Sequence, residues 1–160
     1  MQITQKLVNE LFNYIDGKIY WKKKTSPYSN DVIGKESGYI DKGYKLVKIN
    51  NYPYSVHNII FLIHRGYLPE IVDHIDENTL NNRIDNLRPA SKSQNNWNAK
   101  KRKDNSSGIK GVSLFKGKWT ARCQVNEVQH FLGNFIDISE AEQAVKMFRQ
   151  NNHNEYTNHG

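Results

Sequence analysis

The chain has 160 residues, 37% of them hydrophobic and 11% aromatic. That suits one ordinary domain or two small ones with thin cores, and argues against plain disorder. A single cysteine, Cys123, excludes an internal disulfide and any structural zinc site built on paired thiolates. The net charge of +7 is unevenly placed: residues 88–122 hold ten Lys/Arg against one acidic residue, Asp104, while the remainder holds thirteen basic and fifteen acidic. The whole excess therefore sits in one stretch, which also carries aromatic and amide side chains. A solvated lysine-rich linker is the plain reading of it, and a nucleic-acid footprint is the stronger one.

No apolar run is long enough to span a bilayer, and the N-terminus lacks a signal-peptide apolar region, so the expectation is a protein of a reducing cytoplasm. In chain order, residues 4–14 place Leu7, Val8, Leu11 and Phe12 at helical spacing. Asp16-Gly17 signals a turn, and "KIYWK" beyond it reads as a strand. "GYKLVKI", the turn "NNYP" and "YSV" predict a hairpin ending near Val56. "HNIIFLIHRG" predicts a short helix with Gly66 as its C-cap. "EIVDH" reads as a strand, "IDENTLNNR" as a polar loop and "IDNLRPA" as a second strand. Ser91 is placed to cap a helix over "KSQNNWNAKK". "KKRKDNSSG" reads as a basic linker, followed by three short strands, "IKGVSLF", "KWTARCQV" and "VQHFLGNF". Ser139 with Glu142 forms a capping-box pattern before a helix whose apolar face is Ala141, Ala144, Val145 and Phe148.

The chemistry concentrates in residues 71–98, "IVDHIDENTLNNRIDNLRPASKSQNNWN". A carboxylate beside a side-chain amide oxygen makes a hard-oxygen site suited to Mg²⁺. A neutral histidine next to it is suited to take a proton from water attacking a phosphodiester. An Asn-rich loop alone is usually a loop, and a lone Asp-His pair is usually structural; their combination is what points to a site.

That stretch resembles the HNH, or histidine-metal finger, endonucleases, particularly the phage and intron-borne homing branch. The resemblance implies a ββα-metal core over about residues 71–99 inside a nuclease module spanning 1–99. It implies His74 as general base, Asp73 and Asn95 as ligands of Mg²⁺ (with Mn²⁺ substituting, and no zinc), and Asn86 of "DNLR" fixing the loop and orienting His74. The closing residue of the name-giving pattern is Asn95 rather than His, which implies a weakly held metal. Asn78, Asn81 and Asn82 are expected to satisfy loop backbone groups, Asn96 to be a candidate DNA contact, and His57 and His64 to be structural.

"SSGIKGVSLFKGKWTARCQVNEVQHFLGNFIDISEAEQAVKMF" is similar to the APETALA-type DNA-binding domain, which implies three antiparallel strands packed on one helix over residues 108–156. Strand parity places Val112, Leu114, Trp119, Ala121, Cys123 and Leu132 toward the helix. The other face gets Lys110, Ser113, Phe115, Lys118, Thr120, Arg122, Gln124, Gln129 and Phe131. Of these, Lys110, Lys118, Thr120, Arg122 and Gln124 are the expected DNA contacts, with Lys100, Lys101, Arg102 and Lys103 of a basic linker (100–107) tracking phosphates. The expectation is thus an α+β protein of two modules: a monomeric, metal-dependent endonuclease for double-stranded DNA, mainly nicking and of phage homing type. It would work in the host bacterial cytoplasm with no membrane partner. The alternatives are a DNA-binding regulator with a decayed nuclease module, and a nuclease for structured RNA or branched DNA.

Overall fold

Thr4 opens the first element: its hydroxyl accepts from the backbone N–H of Leu7 and caps α1 (Gln5–Leu11). The computed structural model describes residues 3–24, 32–98, 105–125 and 128–152, with backbone alone for 96–98. The helix stops earlier than the apolar spacing suggests. Phe12–Ile15 is β1, paired antiparallel with β2 (Lys18–Trp21) across Asp16-Gly17, both at positive φ. Phe12 and Trp21 are register partners with ring centroids 4.5 Å apart. That cross-strand pair competes for Phe12 and wins it from the helix.

A three-stranded antiparallel sheet follows, of β3 (Tyr39–Asp41), β4 (Tyr44–Ile49) and β5 (Tyr52–Ser55) in that order. β3 has no counterpart in the sequence reading. Asn50 and Asn51 both take positive φ, as a two-residue hairpin turn requires. α2 (Val56–Arg65) ends at Gly66, whose φ of 79° and N–H to Leu62 O make it a left-handed cap. Its buried face, including Val56, Ile59 and Ile60, joins Val8, Phe12, Ile19 and Val47 in one core. On that core lies the hairpin of β6 (Ile71–His74) and β7 (Leu87–Ala90), contributing Val72 and Leu87. A short 3-10 turn, Ile84–Asn86, precedes β7.

The chain separates into two compact units, Met1–Ala90 and Ser91–Gly160. α3 (Lys92–Asn98) opens the second with a reciprocal cap: Ser91 Oγ accepts from Gln94 N at 3.2 Å, and Gln94 Oε1 accepts from Ser91 N at 2.8 Å. β8 (Val112–Phe115), β9 (Lys118–Val125) and β10 (Val128–Phe135) form an antiparallel sheet with β9 central, and α4 (Ile138–Asn152) packs on it. Helices and antiparallel strands are segregated in both units, so the class is α+β.

Four details of the second unit depart from the sequence reading. β8 starts at Val112 because residues 109–111 are a turn at Gly111, whose φ is +86°. α4 starts at Ile138 because Asp137 is its cap, its Oδ1 accepting from Ser139 N at 2.7 Å. Leu114, expected under the helix, is 57% exposed because it lies toward the end of an edge strand. Thr120, expected on the open face, is 3% exposed. It sits on the central strand, hemmed in on both sides, and its hydroxyl bonds Asn134 Oδ1 at 2.8 Å. A bulge at Phe131/Gly133 shifts the register, which lets both Leu132 and Phe135 pack on the core of Val112, Ala121, Ala141 and Val145. Of the proposed linker, residues 105–107 are part of this fold: Ser107 Oγ donates to Val112 O at 2.7 Å and accepts from Ile109 N at 3.1 Å.

Candidate active site

Strand β6 delivers two consecutive polar side chains into the buried part of the first unit. Asp73 is 6% exposed, and Oδ2 accepts from Nε of Arg88, its register partner on β7, at 2.9 Å. Arg88 is itself 8% exposed, so the ion pair is largely withdrawn from water. Removing one partner of such a pair would strand a buried charge.

His74, also buried, has Nε2 at 3.0 Å from Oδ1 of Asn82. An amide oxygen only accepts, so Nε2–H is the donor in this contact. Asn82 Nδ2 donates to Leu80 O at 3.4 Å, which holds the amide in the orientation that presents Oδ1 to the ring.

Asn86, expected to orient His74, spends its amide elsewhere. Its Nδ2 donates to Asp76 Oδ1 and to Asn81 O, both at 2.8 Å, and its Oδ1 accepts from Asp76 N at 3.1 Å. Asp76 is the hub of the loop, taking Asn78 N on Oδ1 at 2.9 Å and Asn81 Nδ2 on Oδ2 at 2.7 Å. Burial raises the Asp76 pKa, but those hydrogen bonds outweigh it and hold the carboxyl below its usual range. Thr79 Oγ1 ties the loop to Gly43 O at 2.7 Å, in the turn before β4. The asparagines therefore divide the work: Asn86 and Asn81 brace the loop, and Asn82 meets the ring. Sequence reasoning assigned Asn82 to loop backbone; its place within "LNNR" distinguishes it from Asn81 by nothing local.

Two more rings stand beside His74. His57, at the start of α2, lies edge-to-face with it, centroids 5.0 Å apart, and Tyr44 of β4 is 6.5 Å from His74 and 5.8 Å from His57. Burial first, and the proximity of His74 second, push the His57 pKa down to about 4.

Asn95 is half-buried on α3, its N–H bonded to Ser91 O, and belongs to the second unit. Asn96 has no described side chain, and Lys100, Lys101, Arg102 and Lys103 lie outside the described residues. Lys110 is in the turn before β8, its carbonyl accepting from Arg149 Nη2 at 2.7 Å. Lys118, Arg122 and Gln124 are exposed on β9, and Phe115 and Phe131 are exposed on its neighbours. Thr120 is covered and cannot touch a partner without rearrangement.

The donor types suit a hard divalent cation. A carboxylate offers about four lone-pair positions, so the Arg88 bond to Oδ2 is compatible with a metal on Asp73. Among the described residues no group of three His, Cys, Asp or Glu side chains could hold a metal ion. A cation here would rely on one carboxylate with amide, water or phosphate oxygens. Among them, too, no helix is long and apolar enough to cross a membrane.

Residues 54–97 match the family model described as HNH endonuclease, so the chain carries an HNH endonuclease domain. It is similar to Protein 3.8 of Escherichia phage T7, 43% identical over 70 residues covering 42% of this chain and 55% of that protein. It is also similar to a protein of Acanthamoeba polyphaga mimivirus named Uncharacterized HNH endonuclease L560, 33% identical over 121 residues covering 73% of this chain and 61% of the relative. The chain thus spans less than two thirds of either relative. No solved structure matches it.

Proposed function

We propose that the protein is a metal-dependent endonuclease that hydrolyses a phosphodiester of double-stranded DNA, mainly by nicking. The observation that carries the reading is the buried His74 imidazole, held by Asn82 Oδ1 in the Nε2–H form beside Asp73, within the HNH match. His74 takes the proton from the attacking water. Asn82 keeps that tautomer, and Asn86 with Asp76 keeps the loop that carries Asn82. Asp73 and, by the order of the motif, Asn95 would hold Mg²⁺ or Mn²⁺, which when bound stabilises charge on the leaving oxygen. Arg88 holds the Asp73 carboxylate in place. The exposed Lys118, Arg122 and Gln124, interleaved with Phe115 and Phe131, support the second unit as a DNA-gripping surface of the APETALA type. The biology we propose is that of a phage homing endonuclease; the relatives being encoded by a phage and a virus supports the viral part of that reading.

The test is cleavage of supercoiled plasmid with Mg²⁺, alongside single strands and structured RNA. We expect nicked circles from duplex, and His74→Ala should cut roughly 10²-fold more slowly with binding nearly unchanged. Near wild-type cleavage by that variant would remove His74 from the mechanism. Absence of any metal dependence would remove Asp73 and Asn95 from theirs.

A further inference from the structure

We propose that Phe131 and Phe115 are specificity-determining residues of the second unit, each selecting thymine in duplex DNA by apolar contact with its 5-methyl group. The proposal rests on the reading of this sheet as a DNA-gripping surface, and it commits the face to one chemistry. Both rings stand in water, 59% and 61% exposed, so most of their apolar area is left for a partner to cover. Strand register puts each of them beside a cation. Phe131 on β10 is the partner of Arg122 on β9, and Phe115 on β8 is the partner of Lys118 on β9. Side chains directly opposite in an antiparallel pair share a face, with Cβ atoms about 5 Å apart. One face thus carries two aromatic–cation pairs, and between them runs a row of small polar side chains, Ser113, Thr120 and Asn134.

The chemistry of that face names the partner. No acidic residue occurs in 112–125 or 128–135, so the cations of this sheet are not neutralised by its own strands. A polyanion complements such a face, and an antiparallel ribbon is one of the elements that the major groove of B-DNA admits. Of the base edges presented there, thymine's offers an apolar group, the 5-methyl, which phenylalanine is suited to contact. Arginine beside it is suited to a guanine edge or a phosphate. A cross-strand spacing of about 5 Å places Phe131 and Arg122 at neighbouring base pairs, which rise about 3.4 Å each. Lys118 and Arg122, four residues apart along β9, are separated by about 13 Å, so the two pairs address positions about four base steps apart. Stacking on unpaired bases is the other use of an exposed ring. It is disfavoured at Phe115, where Lys116 Nζ stands 5.4 Å over the ring centroid and occupies a face that a base would take.

The experiment uses the full-length protein in EDTA, so that binding is read without cleavage. Duplexes retained from a random-sequence pool are remade with deoxyuridine for thymidine at single positions, which removes one methyl and keeps every base pair. Uracil should weaken wild-type binding roughly 3- to 5-fold at the position that Phe131 reads and likewise at the one that Phe115 reads, the scale of one buried methylene. Phe131→Ala should abolish the thymine–uracil difference at the first position and keep it at the second, and Phe115→Ala should do the reverse. Phe131→Leu, still apolar, should retain most of the difference. Both rings are exposed and lie outside the core cluster, so these variants keep the packing of the sheet. Wild-type protein that binds thymine and uracil duplexes alike would overturn the proposal and leave the DNA-gripping reading standing. So would a difference that persists in full in both alanine variants, because the methyl would then be felt through DNA shape or another side chain. Tighter binding of a single strand than of its duplex would mean base stacking, and would also sink the methyl contact. If wild type retains no duplex from the pool, the DNA-gripping reading itself fails and the proposal falls with it.

Discussion

A buried imidazole stays neutral at a cost that depends on pH. His57 has its pKa pushed down to about 4 by burial and by His74 on β6, with the Tyr44 ring of β4 as the other neighbour. An unfolded histidine titrates near 6.5. Above that value His57 is neutral in both states and costs nothing. As pH falls from about 6.5 to 4 the unfolded chain takes a proton that the folded chain refuses, so stability drops, by about 3 kcal/mol once below the folded pKa. Urea midpoints at pH 7.5 and 4.5 should therefore differ more in wild type than in His57→Leu. Asp76 also loses stability in acid, because its folded pKa is depressed, but below about pH 4, where carboxylates protonate. The two transitions are separable. Asn82 is the second residue to test. Asn82→Ala strands the buried Nε2–H of His74, which should cost about 1–3 kcal/mol of stability. It should slow cleavage without changing the metal requirement, whereas Asp73→Ala should change it. A normal rate in Asn82→Ala would show that the ring is aimed by other groups.

At the level of elements, two substitutions distinguish caps and turns that look alike in sequence. Asp137→Ala removes the acceptor for Ser139 N at the start of α4 and should lower the thermal midpoint, while Ser139→Ala should leave it near wild type. The reverse ranking would restore Ser139 as the cap. Gly111 joins the turn at residues 109–111 to β8 at φ +86°, and a Cβ there would lie 2.6 Å from Arg122 O and 3.2 Å from Arg149 Nη2. Gly111→Ala should therefore cost about 1–3 kcal/mol through strain at a left-handed position, read as a lower urea midpoint. It should also loosen the Arg149 bond to Lys110 O. The second sheet's outer face hangs on that junction, so DNA affinity should fall with it.

For the whole molecule, the prediction is a division of labour. One candidate site per chain reaches one strand at a time, so nicked circles should precede linear DNA at every enzyme concentration. Truncation near Asp104 removes Lys110, Lys118 and Arg122 with the exposed Phe115 and Phe131. Binding should weaken, and the plot of log affinity against log salt should become shallower by roughly 0.9 for each phosphate that is no longer neutralised. Unchanged affinity and salt slope in the truncated protein would mean that the exposed aromatic sheet serves another partner.

Much of this was written in local spacing. Caps act over three residues and two-residue turns over two, so the Ser91 cap, the Gly66 terminus and the Asn50-Asn51 hairpin were legible from residue type alone. The same holds for the order of acidic residue, histidine, Asn-rich loop and "NLR" strand that marks residues 54–97 as an HNH domain. What the residues could not show was which side chain meets which across the chain. Asn81, Asn82 and Asn86 are chemically identical. The loop winds past Glu77 at positive φ and around the Asp76 carboxylate before Asn82, alone of the three, faces His74. Asp73 gained Arg88 through strand register, Phe12 left its helix for Trp21, and Thr120 was covered by its position in a central strand. Sequence determines the chemistry a side chain offers and the turns made by near neighbours. The partner it receives depends on register and on competition for burial, and those are decided when distant segments pack together.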